Sequence, residues 1–519
     1  MNRKYSFNKI IVPLLAIVIL ISTSCKKYLY TAPIDTTYSQ EFWTSQSSVE
    51  QATIAMYGQL RNCLRSSSSY FINGDLCSGA FLPNSAQWNL ASIRASASPA
   101  FNFSYVPYYE GDLQNWTRFY QLIAQSNLIL QNVPAMSASL FSSESVRNSY
   151  LAEALFMRAY TYFYMIRIWG DPVYVTQTYN NVDYGNIPPL ARTAEATVLD
   201  SCIADLQKAA SWLSFAGGNP TKSIRANKGS AYALLAHIYA WKHDYANAHL
   251  ACQQVITNGG YALEPMSSYT NIWKGQSSLE SIFELPMTYN PNDPNSVSNG
   301  NAEAQFGFFG TFLKGPIVAN QNSVCWLAPA SVVEDILFDT ANDARYHTIL
   351  NFQPASGGDD PGYMLLKYTN FLFQQPGTQT LPYINNDLVL FRLSDIYLLD
   401  AEASAYNNDL TTATIDLAMT EDRAGISEYQ GITDPYDMAV EAMYERGREL
   451  IGEGQWYYDM IRTEPEIQGV AAQQWLEYMG YQSDRVTAAS KGYYWPLDLG
   501  TLFPQDKLLV QNPYWATHK

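Results

Sequence analysis

Charge is scarce in this chain of 519 residues: Asp, Glu, Lys and Arg make up only 15%, against roughly 25% in an ordinary soluble domain. What charge there is leans acidic, 47 Asp+Glu against 31 Lys+Arg, for a net −16, so nothing in the field of the molecule draws it to nucleic acid. Histidine is scarcer still, with five copies. Three of these, His237, His243 and His249, recur every six residues. On a helix that step turns successive rings about 120° apart, so they cannot share a metal-binding face. No HExxH, GxSxG, Walker A or GxGxxG pattern occurs, and no zinc, nucleophile-elbow or nucleotide chemistry is therefore expected.

Cysteine is also sparse. The six residues Cys25, Cys63, Cys77, Cys202, Cys252 and Cys325 form no CxxC or zinc-ligand spacing, which excludes a metal ribbon and argues against a disulfide framework. Cys63 and Cys77 are the one pair open to oxidation, whereas Cys202 and Cys252 fall on apolar helical faces and read as core thiols. Long apolar runs are missing after the N-terminus. Ile10 to Ile21 is apolar, follows the basic Arg3, Lys4 and Lys9, and leads through Ser22-Thr23-Ser24 to Cys25. That run is too short to span a bilayer and reads as a cleaved export signal over residues 1–24.

What is abundant is apolar and aromatic: 47% hydrophobic residues, with 39 Tyr against 22 Phe and 12 Trp. Such a chain is not disordered, and rings bearing a hydroxyl suit a surface that must be apolar and wet at once. Helical patterning dominates. The stretch 145–169 is apolar nearly all round, carries only Arg147, Glu153, Arg158 and Arg167 as charges, and stops at Gly170-Asp171-Pro172, the signature of a buried helix. Helices are also expected over 195–214 and 436–452. Two more, about Ala231–Tyr239 and Tyr245–Ile256, are split by Lys242-His243-Asp244 and closed by Gly259-Gly260, which makes an antiparallel hairpin.

That hairpin repeats 165 residues later. Tyr232, Leu234, Ala236, Ala240, Asp244, Ala248 and Gly260 match Tyr397, Leu399, Ala401, Ala405, Asp409, Ala413 and Gly425. Small residues at fixed helical positions let paired helices approach, and a hairpin buries its apolar face only against neighbours, as in tetratricopeptide repeats. The expected fold is mostly α: one domain over 25–519, with helical repeats at about 40–65, 115–262 and 388–462, and a C-terminal segment 463–519.

Two excursions interrupt the repeats, about 66–116 and about 286–380, and both are expected to be long, aromatic-rich loops. The first carries Tyr70, Phe71, Trp88, Phe101, Phe103, Tyr105, Tyr108, Tyr109 and Trp116. The second, after the turn-rich NPNDPNSVSNGN, carries Phe306, Phe308, Phe309, Phe312 and Trp326. Long loops on a rigid scaffold are where binding concentrates. A pyranose packs its C–H face on an aromatic ring and needs Asp, Asn or Arg for its hydroxyls. Asp75, Trp88, Asn89, Arg94, Tyr289 and Trp326 supply both kinds and form the expected ligand-binding set, with Trp88 and Trp326 leading. For any single ring, anchoring the loop in the core is the commoner role. Glu445, Glu449 and Glu453 share a helix face as paired acids would, but Arg446 and Arg448 lie in the same turns, so a structural ion-pair network is expected. Asp359-Asp360 and Asn292-Asp293 lack the alternating spacing of a calcium loop, and no cofactor is expected.

The chain resembles the SusD/RagB lipoproteins. The resemblance lies in EALFMRAYTYFYMIRIWGDPVYV, IRANKGSAYALLAHIYAWKHDYANAHLACQQVITNGGYAL, LESIFELP, DLVLFRLSDIYLLDAEA, EDRAGI, EAMYERGRELIGEGQWYYDMIR and YYWPLDLGTLFPQDKLLVQNPYW, seven segments in the family's order. Gln455 stands where the family usually has Arg. The resemblance implies acylation of Cys25 and a lipid anchor in the outer membrane, at the cell surface. It also implies capture of glycan without catalysis, in partnership with a SusC-like TonB-dependent transporter. Peptide or another nutrient as ligand, and an assembly scaffold with no small ligand, remain the alternatives.

Overall fold

The computed structural model describes residues 42–83, 108–178, 189–217, 223–275, 278–287, 308–313, 325–355, 360–375, 380–426, 431–463, 481, 485, 490–498, 500–502 and 506–518. Helix α1 (Gln46–Arg65) opens on a capping box in which Ser45 Oγ accepts the Ser48 N–H at 3.2 Å. It buries Val49, Ala52, Met56 and Leu60 along one stripe. α2 (Thr117–Asn132) packs against α1 and against α3 (Glu144–Trp169). α3 is buried on every side from Tyr150 onward apart from Arg158. Ser143 caps its start, and Gly170, at φ 72°, ends it in a conformation that L side chains resist.

The array continues through α4 (Glu195–Trp212), α5 (Lys228–Trp241) and α6 (Tyr245–Asn258), each packed on its predecessor. More than a hundred residues separate α6 from α8 (Leu393–Tyr406), yet the two pack directly, and α8 then packs on α9 (Leu410–Ala424) and α10 (Pro435–Glu449). Between them lies the short α7 (Ala344–Ile349), and α11 (Trp456–Thr463) follows α10. The fold is thus a helical-repeat array, and helix boundaries fall within a few residues of those expected.

The repeat extends to the backbone. His243 and Asn408, the residues before the second helix of each hairpin, are both left-handed at φ 57° and 62°. Asp244 and Asp409 then cap α6 and α9 by accepting the N–H of Asn247 and Thr412 at 3.2 and 3.1 Å. Gly260 and Gly425 leave the two hairpins with φ of 70° and 81°. An Asp cap after a left-handed residue is a local instruction that works wherever the hairpin is placed.

The excursions are more ordered than loops. Residues 66–76 follow α1 in short helical turns, and Tyr70, Phe71, Ile72 and Leu76 are buried. The two excursions share a four-stranded sheet of order β1-β3-β5-β4, in which the first gives β1 (Leu82–Pro83) and the second β3 (Trp326–Pro329), β4 (Leu350–Gln353) and β5 (Gly362–Leu365). β2 (Ser281–Pro286) pairs antiparallel with β8 (Asp387–Arg392), and β6 (Phe371–Gln375) with β7 (Thr380–Ile384). The short strands within these excursions were not foreseen, because alternation over four residues is too short a pattern to register as a strand. Cys63 and Cys77 are buried free thiols, as are Cys202 and Cys252, and Cys325 is buried too. The export segment, Cys25 and most of 463–489 lie outside the described residues.

Candidate functional site

The two excursions meet at their bases. Leu82 and Pro83, which lead towards Trp88, pair with Leu327 and Trp326 across an antiparallel step. Beneath this step the rings of Phe71 and Phe308 stack at 4.4 Å, and Phe312 stands edge-on to Phe71 at 4.8 Å and to Trp326 at 5.7 Å. Tyr368 closes the cluster against Phe309 at 4.5 Å. These rings form a dry floor that fixes both excursions to one place on the helical array.

Of the six expected ligand-binding residues, Trp88, Asn89, Arg94 and Tyr289 lie outside the described residues. The other two are interior, and their reading as ligand contacts is corrected. Trp326 is 1% exposed, packed among the floor rings. Asp75 is fully buried, and its two carboxylate oxygens accept the backbone N–H of Gly452 at 3.1 Å and Gly454 at 2.8 Å. Burial pushes the Asp75 carboxyl well above the usual carboxylate range, against the pull of those amides and of Lys367. Asp75 is a fastener between the first excursion and the turn after α10.

That turn borders a buried ionic cluster. Glu445 and Glu449 share one face of α10, whereas Glu453 lies in the turn beyond its end, and their principal partners come from distant segments. Arg345 reaches Asp343, Glu445 and Glu449 at 2.8, 2.6 and 2.9 Å. Arg392 reaches Glu280 at 2.7 Å, Glu449 at 2.5 Å and Glu453 at 2.8 Å, and Arg423 bridges Glu280 and Glu449. Lys367 holds Glu453 at 2.6 Å over the Trp273 ring. Burial alone would raise the Glu449 carboxyl, but Arg423, Arg392, Arg345 and Lys367 outweigh it and hold it well below the usual range. Burial, with Arg392 close by, presses the Lys367 ammonium down to about 8 against the pull of Glu453 and Glu449. These groups are paired with one another and shut off from solvent, so the acids serve to lock α10 to α7, β8 and α9. Arg446 and Arg448 take other partners as well: Arg446 pairs with Asp395 and Asp459, and Arg448 with Glu421, Glu441 and Glu445. The acidic stripe was legible in the sequence as a charge that burial must neutralise. Arg345, Lys367, Arg392 and Arg423 were not, because nothing local marks them.

The histidines are dispersed, as their spacing demands. His237 Nε2 lies 2.8 Å from Asp395, His249 Nδ1 2.8 Å from Asp400, and His243 Nε2 2.7 Å from the Arg462 carbonyl. Among the described residues no group of three or more His, Cys, Asp or Glu could hold a metal ion. Of the calcium candidates Asp360 is described and exposed, while Asp359, Asn292 and Asp293 fall outside the described residues. Gln455 accepts from Arg167 at 3.2 Å, so a guanidinium reaches that place from α3.

Two family models match the chain: one described as the SusD family over residues 351–515, and one described as "Starch-binding associating with outer membrane" over residues 32–240. The chain is 23% identical to SusD-like protein P38 of Formosa agariphila, covering 95% of this chain and 96% of that one. It is 24% identical to a SusD-like protein of Bacteroides ovatus, covering 85% and 80%. Its fold is that of a SusD superfamily protein from Bacteroides thetaiotaomicron, with a TM-score of 0.72 at 24% identity, covering 91% of this chain and 99% of that one. The two family models, the relatives and the fold together support a SusD/RagB family protein. Among the described residues no helix is long and apolar enough to cross a membrane.

Proposed function

We propose that this protein is a non-enzymatic glycan-binding lipoprotein of the cell surface, which captures an oligo- or polysaccharide and passes it to a SusC-like TonB-dependent transporter in the outer membrane. Acylated Cys25 is its anchor. The observation that carries this reading is the match of residues 32–240 to a starch-binding, outer-membrane-associated family, a span that contains Trp88, Asn89 and Arg94. The joined bases of the two excursions support it, since Pro83 of the first pairs with Trp326 of the second. Sugar capture asks for such an arrangement: rings for the C–H face, amide and guanidinium groups for the hydroxyls, and a base that does not move on binding.

Isothermal calorimetry of the soluble chain starting after Cys25, against a panel of plant, host and microbial glycans beside an oligopeptide mixture, tests the proposal. Saturable heat with one glycan class is expected. Saturation by peptides alone overturns the ligand class, and heat that continues after saturation overturns the absence of turnover.

A further inference from the structure

Helix α9 is wedged between α8 and α10, and it turns an acid towards each of them. Asp416 is 4% exposed and Glu421 fully buried, and at five residues' spacing they stand about 140° apart around the helix. Asp416 meets Asp400 of α8, and Glu421 meets Glu445, Glu441 and Arg448 of α10. One oxygen of each acid, Asp416 Oδ2 and Glu421 Oε2, has no hydrogen-bond partner. A buried carboxylate oxygen without a donor has lost the solvation that ionisation needs.

The bases nearby are engaged elsewhere. Asp400 is fully buried, and α6 takes both its oxygens, His249 Nδ1 at 2.8 Å and Gln253 Nε2 at 2.7 Å. The other titratable groups around the Asp400–Asp416 pair are Asp395 and Tyr397 on α8, Cys252 on α6 and Asp409 at the head of α9. Arg446 of α10 is held by Asp395 and Asp459. At the other contact Arg448 reaches Glu421 only at 3.4 Å and Glu445 at 2.6 Å, while Arg345 is taken up by Asp343, Glu445 and Glu449. Arg423, on α9 itself, binds Glu280 and Glu449. Burial first, and then the facing acids, push Asp416 and Glu421 both up to about 9, with Arg448 pulling the other way on Glu421. A protonated carboxyl can donate to the carboxylate it faces, and an ionised one can only repel it.

We propose that α9 is a proton-held latch: one proton between Asp416 and Asp400 and one between Glu421 and Glu445 keep it seated on α8 and α10, and their loss in alkaline medium releases it. The sign follows from linkage. Both acids contribute fully below their unfolded values near 3.8 and 4.5, and that contribution drains away as the pH rises through about 9. Release of α9 also draws Arg423 away from Glu280 and Glu449, so the ionic cluster loosens with it. The latch stands apart from the excursion bases and does not rest on the glycan reading.

The test is amide hydrogen exchange on the soluble chain starting after Cys25, at about pH 6 and about pH 9, with each rate divided by its intrinsic rate at the same pH. Protection across α9 should fall at least about tenfold over that range, while α2, which carries no buried acid, stays within about twofold. The double variant Asp416→Asn, Glu421→Gln keeps the shape of both side chains and a donor at each contact, so it should fold as the parent does and hold α9 closed at both pH values. The infrared band of protonated carboxyl groups should be weaker in that variant than in the parent at neutral pH. An equal loss of protection in α9 and α2 overturns the latch. So does a loss in α9 that the double variant shares with the parent. An unchanged infrared band overturns the protons themselves. Glycan binding at neutral pH should be the same in parent and double variant, which separates failure here from failure of the glycan reading.

Discussion

Asp75 and Gly454 stand 379 residues apart and meet at 2.8 Å, carboxylate to backbone N–H, with Gly452 donating to the other oxygen. The approach is close enough that a Cβ on the neighbouring Gly74 would lie 2.2 Å from the Gly454 carbonyl oxygen. Asp75→Ala leaves two buried N–H groups without acceptors, and the expected cost is about 2–4 kcal/mol of stability. Asp75→Asn keeps one acceptor and should lose less. Urea denaturation of the two variants checks the order, and calorimetry on the folded fraction should give unchanged ligand affinity. A loss of affinity without a loss of stability would return Asp75 to the binding surface.

The ionic cluster sets the acid limb of stability. Glu449 is held well below its ordinary value of 4.5 in the folded chain, where burial works against it and the cations Arg423, Arg392, Arg345 and Lys367 prevail. A depressed carboxyl contributes stability above its unfolded value and loses it as the pH falls through the folded one. The parent protein should therefore lose stability progressively below about pH 4.5. Glu449→Gln leaves three guanidinium groups undercompensated at 0–6% exposure and should cost about 3–5 kcal/mol at pH 7. Its gap from the parent should narrow as the pH drops towards 3, read from denaturation midpoints across that range.

Asp387 works in the opposite sense. Burial, with Glu284 nearby, pushes its carboxyl up to about 8. A raised carboxyl contributes fully below its unfolded value near 3.8 and loses that contribution as the pH rises through about 8. Asp387→Asn should be closest to the parent at pH 4 and gain on it steadily up to pH 8. Parallel stability curves for the two proteins would show that the group is ionised throughout.

Helices were legible in the sequence where their instructions are local. The Asp244 and Asp409 caps, the stop at Gly170-Asp171-Pro172 and the small residues at Ala236 and Ala401 act within one or two turns, so the order of the array could be read and its edges placed closely. The burial of Cys202 and Cys252 followed from the same periodicity. The excursions resisted because their order is borrowed. Strand β1 is two residues long and exists because Trp326 and Leu327 lie beside it. Asp75 looks like a free loop acid until the turn at Gly452–Gly454 folds over it. Trp326 was chosen for its chemistry, and its burial depends on Phe312, whose position no pattern in the sequence gives.

The thiols offer a check on the interior. Burial pushes Cys63 up to about 12 and holds Cys77 and Cys252 well above the ordinary thiol range. Thiolate is the reactive form. The soluble chain starting after Cys25 should show no rapidly reacting thiol towards an aromatic disulfide reagent at pH 8. Five should appear on denaturation, matching Cys63, Cys77, Cys202, Cys252 and Cys325. A count of three under denaturing, non-reducing conditions would mean that two of them pair in the isolated protein.

Under the proposed reading Trp88 is a binding ring, whereas Trp326 is a floor ring. Trp326 is 1% exposed, with its ring edge-on to Phe312. Trp326→Ala opens a cavity under both excursions and should cost about 3–5 kcal/mol of stability. Trp326→Phe keeps the apolar volume better and should recover much of it. Trp88→Ala removes a ring from the segment that the Leu82–Pro83 pairing leads into, and Tyr289→Ala does the same from the second excursion. Each should lower glycan affinity about tenfold, or about 1.4 kcal/mol, while the unfolding midpoint stays within about 0.5 kcal/mol of the parent. Calorimetry and denaturation run on the same four variants decide the matter. Affinity lost in Trp326→Phe with stability intact would move the ligand down onto the floor, whereas affinity lost only in Trp88→Ala and Tyr289→Ala assigns capture to the rings above it.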